Sequence, residues 1–407
     1  MIFSIAWRNV WRNKVRSIIM IVAIALGLTA GVFTMAFMQG AVDARIESAT
    51  RSELAHLQIH APHFLDNNES SLFIKNGVQL SSKIQSLDSV VAASPRLVAE
   101  PFVQAAHGTG GGKLIGIDPE KEKQVTDIWE HVLEGGTYLE KTSRMPPVLI
   151  GQKLAKKLKL KVGSKINVQM VDLEGDLSSK GFRVSGIYKT TNTTFDETHL
   201  FVNYNDLKNQ LGIEDNAAHE IAIIVKSGDD ASLIKPAVQK VAGNNDVQTW
   251  KELSPEMSLL TDSMDQYMYI FILIILLGLC FGIINTMLMA VLERIKEIGM
   301  LMAVGMNKRK VFWMIILESV MLTFTGGIFG ILIGSGITKI FETRPIDISM
   351  FSEGMEKYGF ATQIYTSLQT ETLLTIAFLV ILTGLISAIY PAKKALKLNP
   401  AEATRSE

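Results

Sequence analysis

The residue types that most often do chemistry form no complete metal-binding pattern in this sequence. His56, His60 and His63 would share one face of a helix, where they could bind a metal ion. Residues 57–60 instead alternate apolar and polar side chains, which favours a strand with a polar outer face. Pro62 would also break a helix at this point. We therefore predict that the chain binds no metal.

Residues 108–113 (GTGGGK) resemble a phosphate-binding loop at first sight. A Walker A motif needs Gly, four residues and then Gly-Lys-Ser/Thr, but Lys113 is followed by Leu114 and the spacing fails. We interpret the segment as the tip of a flexible hairpin. The single cysteine, Cys280, lies in an apolar run, which excludes an intrachain disulfide. With no Ser–His–acid or paired-carboxylate pattern, we predict no catalytic residue, no bound cofactor and no enzymatic activity.

One short segment combines charged and apolar residues at helical spacing. Its charged residues are Glu293, Arg294, Lys296 and Glu297, and its apolar residues are Ile298, Leu301 and Met302. A short amphipathic helix of this kind suits docking into a groove of a soluble partner. On physical grounds it could equally lie on lipid headgroups. Gly299 and Gly305 permit a close approach or a turn.

Four apolar runs are long enough to cross a bilayer, which takes about 20 helical residues. They are residues 17–38, 267–292, 311–340 and about 373–390. Because backbone groups have no water partner in hydrocarbon, we expect each run to be helical. The first run is about twice as long as the apolar core of a signal peptide, so we interpret it as an uncleaved anchor.

Basic residues in short loops predict the orientation of the spans. Four precede the first span, five lie between spans two and three, and four, including Lys397 and Arg405, follow span four. The basic residues of the loop between spans three and four are only Arg344 and Lys357, against Glu342, Asp347, Glu353 and Glu356. Both termini are therefore predicted to be cytoplasmic. We expect Arg8, Arg12 and Arg16 to anchor the amino-terminal helix at the cytoplasmic interface; the alternative is that they set the topology alone, through attraction to anionic lipid.

Small residues recur four apart in the spans, a spacing that lets helix backbones approach closely. They are Gly27, Gly31, Gly278, Gly282, Gly326, Gly330, Gly334, Gly384 and Ala388. Glu318 is the one acid within a predicted span, about two turns from its cytoplasmic end. A buried acid in a membrane is a functional candidate; the alternative is an interface residue that snorkels or caps a neighbouring helix. Pro391 is expected to end span four.

The region of about 45–265 contains all seven histidines and combines strand and helix patterns. The predicted strands are 57–60, 165–170, 182–188 and 221–225, and the predicted helices are 152–160 and 205–212. Residues 41–51 and an apolar stripe at 253, 257, 260 and 264 favour two flanking helices packed as a stalk. The alternative for the stripe is a helix resting on the domain.

The segment 293–305 resembles the coupling loop of the FtsX-like permease family, which includes MacB-type and LolC/LolE-type transporter subunits. The shared pattern is Glu297-Ile298-Gly299, three residues, Ala303, one residue, Gly305. Further segments similar to this family are residues 6–17, 147–155, 162–166, 182–188, 195–196, 390–395 and 399–403. Together, in this order, they cover almost the whole chain.

This resemblance implies a permease that works by mechanotransmission. A dimeric ABC ATPase would bind ATP and Mg²⁺ and would contact the coupling segment, and the spans would pass its movement to the external domain. The implied coupling residues are Glu293, Arg294, Glu297, Ile298, Gly299, Ala303 and Gly305. The implied partners are a second permease, identical or paralogous, membrane lipid, lipoprotein cargo and a periplasmic carrier; residues 171–180 are the candidate carrier-docking loop.

The favoured function is lipoprotein release from a bacterial inner membrane towards the outer membrane. A MacB-like efflux subunit and an FtsX-like subunit that controls a cell-wall hydrolase are the alternatives. A membrane-anchored enzyme is disfavoured because no catalytic site was found. Because 40 basic and 40 acidic residues balance to zero net charge, the composition gives no basis for nucleic-acid binding.

The predicted fold is thus a membrane protein of four transmembrane helices, one plus three, with a large α+β extracytoplasmic domain between the first two. In chain order we predict a cytoplasmic amphipathic helix (1–16), transmembrane helix 1 (17–40), a periplasmic MacB-like domain with helical flanks (41–266), transmembrane helix 2 (267–292), a cytoplasmic coupling loop (293–310), transmembrane helix 3 (311–340), a short periplasmic loop (341–372), transmembrane helix 4 (373–390) and a cytoplasmic tail (391–407).

Overall fold

The computed structural model describes residues 2–141, 143–226, 228 and 231–396. The chain divides into two compact units. The helical unit comprises residues 1–43, 261–347 and 363–407, and the mixed unit comprises residues 44–260 and 348–362. The predicted closing motif at 399–403 and the basic residues Lys397 and Arg405 lie outside the described residues.

Both units contain α-helices. The α-helices are α1 Ile2–Arg12, α2 Lys14–Ser48, α3 Phe64–Asn67, α4 Gly77–Gln85, α5 Pro119–Glu122, α6 Gln152–Lys157, α7 Thr193–Thr198, α8 Tyr204–Leu211, α9 Ala231–Ala242, α10 Trp250–Leu253, α11 Pro255–Glu293, α12 Ile295–Ala303, α13 Lys308–Thr343, α14 Ser352–Lys357 and α15 Thr370–Leu396. A π-helical turn, Ala49–Leu54, follows α2.

The strands of the mixed unit form one large sheet. They are β1 Leu57–His60, β2 Val90–Ala99, β3 Phe102–Ala105, β4 Gly108–Gly111, β5 Lys113–Ile117, β6 Pro147–Gly151, β7 Lys165–Val171, β8 Leu177–Tyr188, β9 His199–Asn203, β10 Glu220–Val225 and β11 Asp246–Thr249. Their order is β11-β1-β10-β2-β5-β9-β6-β8-β7-β3-β4. The pairs β5–β9 and β6–β8 are parallel, and the other neighbours are antiparallel. In the helical unit, β12 Ile346–Asp347 pairs with β13 Gln363–Ile364.

Four helices among the described residues are long and apolar enough to span a bilayer: α2 with the turn after it, α11, α13 and α15. Each has the roughly 20 apolar residues that a crossing requires. The prediction that Pro391 ends the fourth span is wrong, because α15 continues through it to Leu396. The buried proline ring lies in a row of small buried residues, Ala388, Ala392 and Ala395, which favours continuation despite one lost backbone hydrogen bond.

Two sequence interpretations in the mixed unit are wrong. Strand β1 has no polar outer face, because Gln58 and His60 are buried between β10 and β11. The GTGGGK segment is not a hairpin tip, since β4 is itself a strand paired with β3. Residues 171–180, the candidate carrier-docking segment, lie in a hairpin in which β7 and β8 pair as far as Val171 and Leu177, and their docking role stays a prediction.

The predicted strands and helices of the mixed unit are present. Strands β7, β8 and β10 cover the other predicted strands, and α6 and α8 cover the two predicted helices. The stop predicted at Gly212 is confirmed, because this residue ends α8 with φ +70°, where glycine is favoured. Met257, at the start of α11, is buried in the apolar core of the mixed unit.

A fully buried charged cluster lies inside the mixed unit. The Arg96 guanidinium bonds Glu122 at 2.6 Å and Glu220 at 2.5 Å, and Ser94 donates to Glu122 at 2.7 Å. Because the two carboxylates surround the guanidinium, the pKa of Arg96 is raised despite its burial. Every charge in the cluster has a partner, so we interpret it as structural.

Candidate coupling site

Two arginine–glutamate pairs join α1 and α2 to α12 and to the end of α11, and a third joins the residue before α12 to α13. The pairs, which we call the arginine–glutamate cluster, are Arg12–Glu297, Arg16–Glu293 and Arg294–Glu318. Five of the six residues were predicted to anchor the chain or to couple it to a partner, and Glu318 was the intramembrane candidate. The structure brings all six together.

Arg294 is the most connected member of the cluster. It is the residue preceding α12, and its Nη1 donates to Glu318 Oε1 in α13 at 2.9 Å. Its Nη2 donates to the backbone oxygen of Asn9 in α1 at 3.2 Å. One guanidinium therefore ties α1, α12 and α13 to each other. The role of Glu318 follows from this geometry, since it provides the acid that neutralises a largely buried arginine.

The burial of this pair makes its integrity important. Only 15% of the Arg294 side chain and 11% of the Glu318 side chain are exposed. Removing one partner of a buried pair leaves an uncompensated charge, at a cost of about 3–5 kcal/mol. The pair therefore holds the end of α11 against α13. Glu318 lies in the half of α13 that the loop charges predict to be cytoplasmic.

The other two pairs are more exposed. Arg12 bonds both Glu297 oxygens, and Arg16 bonds Glu293. The hydrogen bond from Arg12 lowers the pKa of Glu297, and the same bond raises the pKa of Arg12. Exposed pairs of this kind typically contribute little, about 0–1 kcal/mol each. The first pair links α1 to α12, and the second links α2 to the end of α11. Arg8, in contrast, is exposed and has no ion pair within the described chain.

The apolar face of α12 differs from the prediction. Ile298 and Gly299 are buried, and Met302 packs partly against the same helical core, so Ile298 and Gly299 face the interior of the helical unit. The exposed apolar residues are Met300, Leu301 and Val304, at 56%, 36% and 90% exposure, which we call the α12 apolar face. Ile298 is buried in the apolar core of the helical unit. The spacing of apolar residues in the sequence cannot predict which side of α12 this core covers.

The end of α12 is a tight and well-defined turn. Gly305 has φ +99°, where a side chain would be strained, which explains the glycine. The Met306 amide donates to the Leu301 carbonyl at 2.9 Å and closes the turn. Asn307 then caps α13 through a bond from the Arg309 amide. Ala303 is exposed beside the α12 apolar face.

Glycines of α13 let it pack closely on α2. A Cβ on Gly326, Gly330 or Gly334 would lie 2.9, 2.7 and 3.0 Å from the Cβ atoms of Ile24, Leu28 and Val32 respectively. Gly27 and Gly31 of α2 face Leu279 and Ile275 of α11. Gly278 and Gly282, however, meet no atom of the described chain within 4 Å. Within the helical unit, the glycines of α2 and α13 therefore have the predicted packing contacts, and Gly278 and Gly282 of α11 do not.

The other residues that could do chemistry stay apart from the cluster. Among the described residues, no group of three or more His, Cys, Asp or Glu side chains could hold a metal ion. His60 and His219 each stack on Phe64, at 5.5 and 5.3 Å, as core side chains. Burial lowers the pKa of both histidines, which keeps them neutral.

The pairing itself was not predicted. Arg12 and Glu297 lie 285 positions apart, and Asn9 takes part through its backbone, so its side-chain type carries no signal. One signal was available, because Arg12 and Arg16, and Glu293 and Glu297, have the same spacing of four. Two neighbouring helical segments can form two ion pairs when the basic residues of one and the acidic residues of the other have the same spacing.

Comparisons with known proteins agree with this architecture. The MacB-like periplasmic core domain matches residues 17–241, more than half of the chain, and the FtsX-like permease C-terminal region matches residues 269–400. The second match contains the whole segment from Glu293 to Gly305. The predicted resemblance and the predicted fold are confirmed: four candidate transmembrane helices, with a large periplasmic MacB-like domain between the first two.

Individual relatives cover different parts of the chain. An uncharacterized ABC transporter permease of Methanocaldococcus jannaschii is 28% identical, over 71% of this chain and 69% of its own. The lipoprotein-releasing system transmembrane protein LolC of Buchnera aphidicola is 22% identical, over 94% and 92%. The macrolide export ATP-binding/permease protein MacB of Chlorobium luteolum is 36% identical, over 31% and 16%. The chain belongs to the family of ABC transporter permeases that combine an FtsX-like C-terminal region with a MacB-like periplasmic core domain.

Proposed function

We propose that this chain is the non-catalytic membrane subunit of an ABC transporter that releases lipoproteins from a bacterial inner membrane by mechanotransmission. A separate ATPase dimer supplies ATP hydrolysis and holds ATP and Mg²⁺. A second permease, identical or paralogous, completes the complex, and released lipoprotein passes to a periplasmic carrier. Both termini face the cytoplasm in this proposal.

The observation that carries the coupling role is the exposed α12 apolar face on a rigidly held helix. This short helix of nine residues, with the residue that follows it, exposes three apolar side chains to solvent: Met300, Leu301 and Val304. Exposed apolar residues next to fixed charges suit a helix-in-groove contact with a soluble partner. Because Arg12 and Arg294 tie α12 to α1 and α13, a push on this face would move the spans with it.

The cargo proposal depends on how much of the chain each relative covers. LolC of Buchnera aphidicola aligns with both units, whereas MacB of Chlorobium luteolum aligns with less than a third of the chain. Lipoprotein release is therefore the favoured function. The higher identity of the MacB match over its 126 residues makes export of small amphiphiles the second candidate.

The coupling role can be tested by placing charge on the α12 apolar face. We expect Met300→Asp with Val304→Asp to abolish co-purification of the ATPase, because a groove that accepts apolar side chains rejects carboxylates. The matched control is Leu177→Asp, a 71% exposed apolar residue of the β7–β8 hairpin. Charge reversal at Glu293 and Glu297 is a poorer test, since it also breaks the pairs with Arg16 and Arg12. Normal ATPase recovery with the double variant would refute the assignment.

The cargo can be tested by depletion. On loss of the protein, lipoproteins destined for the outer membrane should accumulate in the inner membrane, and they should co-purify with the intact complex. Unchanged lipoprotein sorting together with increased sensitivity to macrolides would favour the efflux function instead.

The orientation can be tested by labelling introduced cysteines in a Cys280→Ala background. A membrane-impermeant thiol reagent should label Leu177→Cys from the periplasm and Val304→Cys only after the inner membrane is opened. Both side chains are exposed, so accessibility to solvent does not differ between them. Labelling of Val304→Cys from the periplasm would invert the topology and end the coupling proposal.

A further inference from the structure

A cavity of 520 Å³ lies beside the arginine–glutamate cluster, where α1 ends and α2 begins. Its walls come from the α1–α2 junction, the last turns of α11 and the middle of α13. The volume falls within the range of roughly 300–1,000 Å³ that is typical of small-molecule sites. All of its walls belong to the helical unit.

The cavity has an excess of positive charge. Arg12, Lys14, Arg16 and Arg294 line it, against only Glu293 and Glu318. The three arginines pair with glutamates, but Lys14 is exposed and has no ion pair within the described chain. Among the described lining residues, Lys14 is therefore the one positive charge without an acidic partner. A cavity with this excess attracts an anion, and charged basic groups suit phosphate oxygens in particular.

One side of the cavity is apolar and belongs to membrane-spanning helices. Met20 of α2, Met287 of α11 and Leu322 of α13 form this side. Next to it, Ile18 and Ile19 of α2 are 50% and 63% exposed. The site therefore combines basic groups with an apolar wall at the level where a span begins, as at the boundary between headgroups and acyl chains.

We propose that this cavity binds the phosphate of an anionic phospholipid. The phosphate lies against Lys14 and Arg16, and the acyl chains follow the apolar surface of α2. A soluble phosphate would gain from the charges but not from the apolar wall. Because Arg16 also pairs with Glu293, a bound lipid would touch the same cluster that holds α12 in place. The proposal concerns lipid alone and does not depend on the identity of the cargo.

Native mass spectrometry of the full chain in detergent can test this site. Phosphatidylglycerol and phosphatidylcholine with identical acyl chains are the two lipid probes, and inorganic phosphate is the third. We expect the protein to retain phosphatidylglycerol in preference to phosphatidylcholine. Lys14→Gln with Arg16→Gln should weaken phosphatidylglycerol binding roughly tenfold or more, since each basic residue near the surface adds to the attraction.

The matched control is Lys308→Gln with Arg309→Gln, which removes two basic residues at the start of α13 that do not line the cavity. Equal losses in the two double variants, or equal retention of both lipids, would overturn the proposal. Displacement of phosphatidylglycerol by millimolar inorganic phosphate would assign the site to a soluble anion. Loss of ATPase co-purification with unchanged lipid binding would assign it to the protein partner. If the double variant unfolds, Lys14→Gln alone tests the same site.

Discussion

At the scale of single residues, removing one partner of the buried Arg294–Glu318 pair should destabilise the protein more than replacing both partners with apolar residues. Glu318→Ala leaves a buried guanidinium without its acid, which costs about 3–5 kcal/mol. We therefore expect a marked fall in the unfolding temperature of the detergent-purified protein. Replacing both partners, as Arg294→Met with Glu318→Leu, should restore much of the loss because it buries no charge.

Glu371→Ala provides the comparison for this pair. Glu371 is an exposed acid in the first turn of α15, and its removal should change the unfolding temperature little. Equal stability of Glu318→Ala and Glu371→Ala would show that the Arg294–Glu318 bond contributes nothing. The double-variant cycle separates the coupling energy of the pair from the effect of each side chain.

His199 should make the protein less stable as the pH falls. Burial, together with the nearby Lys113 charge, lowers the pKa of His199 to about 3, and its ring stacks on Phe195 at 4.1 Å. The unfolded chain takes up this proton near pH 6.5 while the folded chain does not. Stability from this group is therefore complete above pH 6.5 and declines down to about pH 3.

The measurement is the unfolding temperature between pH 7.5 and 5. We expect His199→Gln to be less stable at pH 7.5 but to show a shallower decline towards pH 5 than the unchanged protein. His107→Gln serves as the control, because His107 is exposed in the β3–β4 turn and its loss should leave the slope as it was. Parallel pH profiles for His199→Gln and the unchanged protein would contradict the linkage argument.

Individual site residues differ in how well the sequence predicts them. Glu293, Arg294 and Glu297 were selected by their place at the end of an apolar run together with the resemblance to the FtsX-like permease family. The partner of each charge was not predictable, since pairing depends on how α1 and α13 are placed. For the same reason Ile298 was assigned to a partner contact although it packs inside its own unit.

At the scale of elements, the close approach of α13 to α2 depends on small residues. A Cβ on Gly330 would lie 2.7 Å from Leu28 Cβ and 2.9 Å from the Ala25 carbonyl oxygen. Gly330→Leu should therefore separate the helices and destabilise the bundle, with overpacking costs of typically 1–3 kcal/mol or more. A lower unfolding temperature checks this expectation.

Gly278→Leu is the matched substitution in α11, where no atom of the described chain lies within 4 Å. We expect the fold of the single chain to tolerate it. If Gly278→Leu keeps the unfolding temperature but reduces recovery of a second permease, then the open glycine face belongs to an interface between subunits. Equal destabilisation by both substitutions would contradict the packing argument.

The long apolar helices were easier to predict from the sequence than the central strand β1. Hydropathy located the four long helices because lipid imposes the same requirement along each whole span. Strand β1 was misjudged because a central strand buries both faces, so alternation of Gln58 and His60 with apolar residues no longer marks an outer side. Helix α14 was missed because its stability comes from contacts with distant residues.

At the scale of the whole molecule, the chain passes between the two units four times. Two passages run through the long helices α2 and α11, and the other two flank residues 348–362, which belong to the mixed unit although they connect α13 to α15. Within the mixed unit, Glu356 of this segment bonds Lys189 at 3.1 Å. Movement of the spans could therefore reach the mixed unit through the helices and through this short segment.

Gly359 is the position where this second route is most easily broken. It has φ +76°, and a Cβ there would lie 2.6 Å from Cζ of Arg45, which pairs with Glu53 at 3.2 Å. Gly359→Ala should strain the backbone and displace Arg45 from Glu53. On the proposed function, we expect lipoprotein release per ATP hydrolysed to fall, while ATPase co-purification stays unchanged because the α12 apolar face proposed to bind the ATPase is intact.

Gly354→Ala is the comparison, since Gly354 lies in α14 with no neighbour within 4 Å and without a positive φ. It should leave release, hydrolysis and co-purification as they are. If Gly359→Ala released lipoprotein as efficiently as Gly354→Ala, the segment between α13 and α15 would be a passive connection. The two long helices would then have to transmit the whole movement, because they are the other covalent connections between the units.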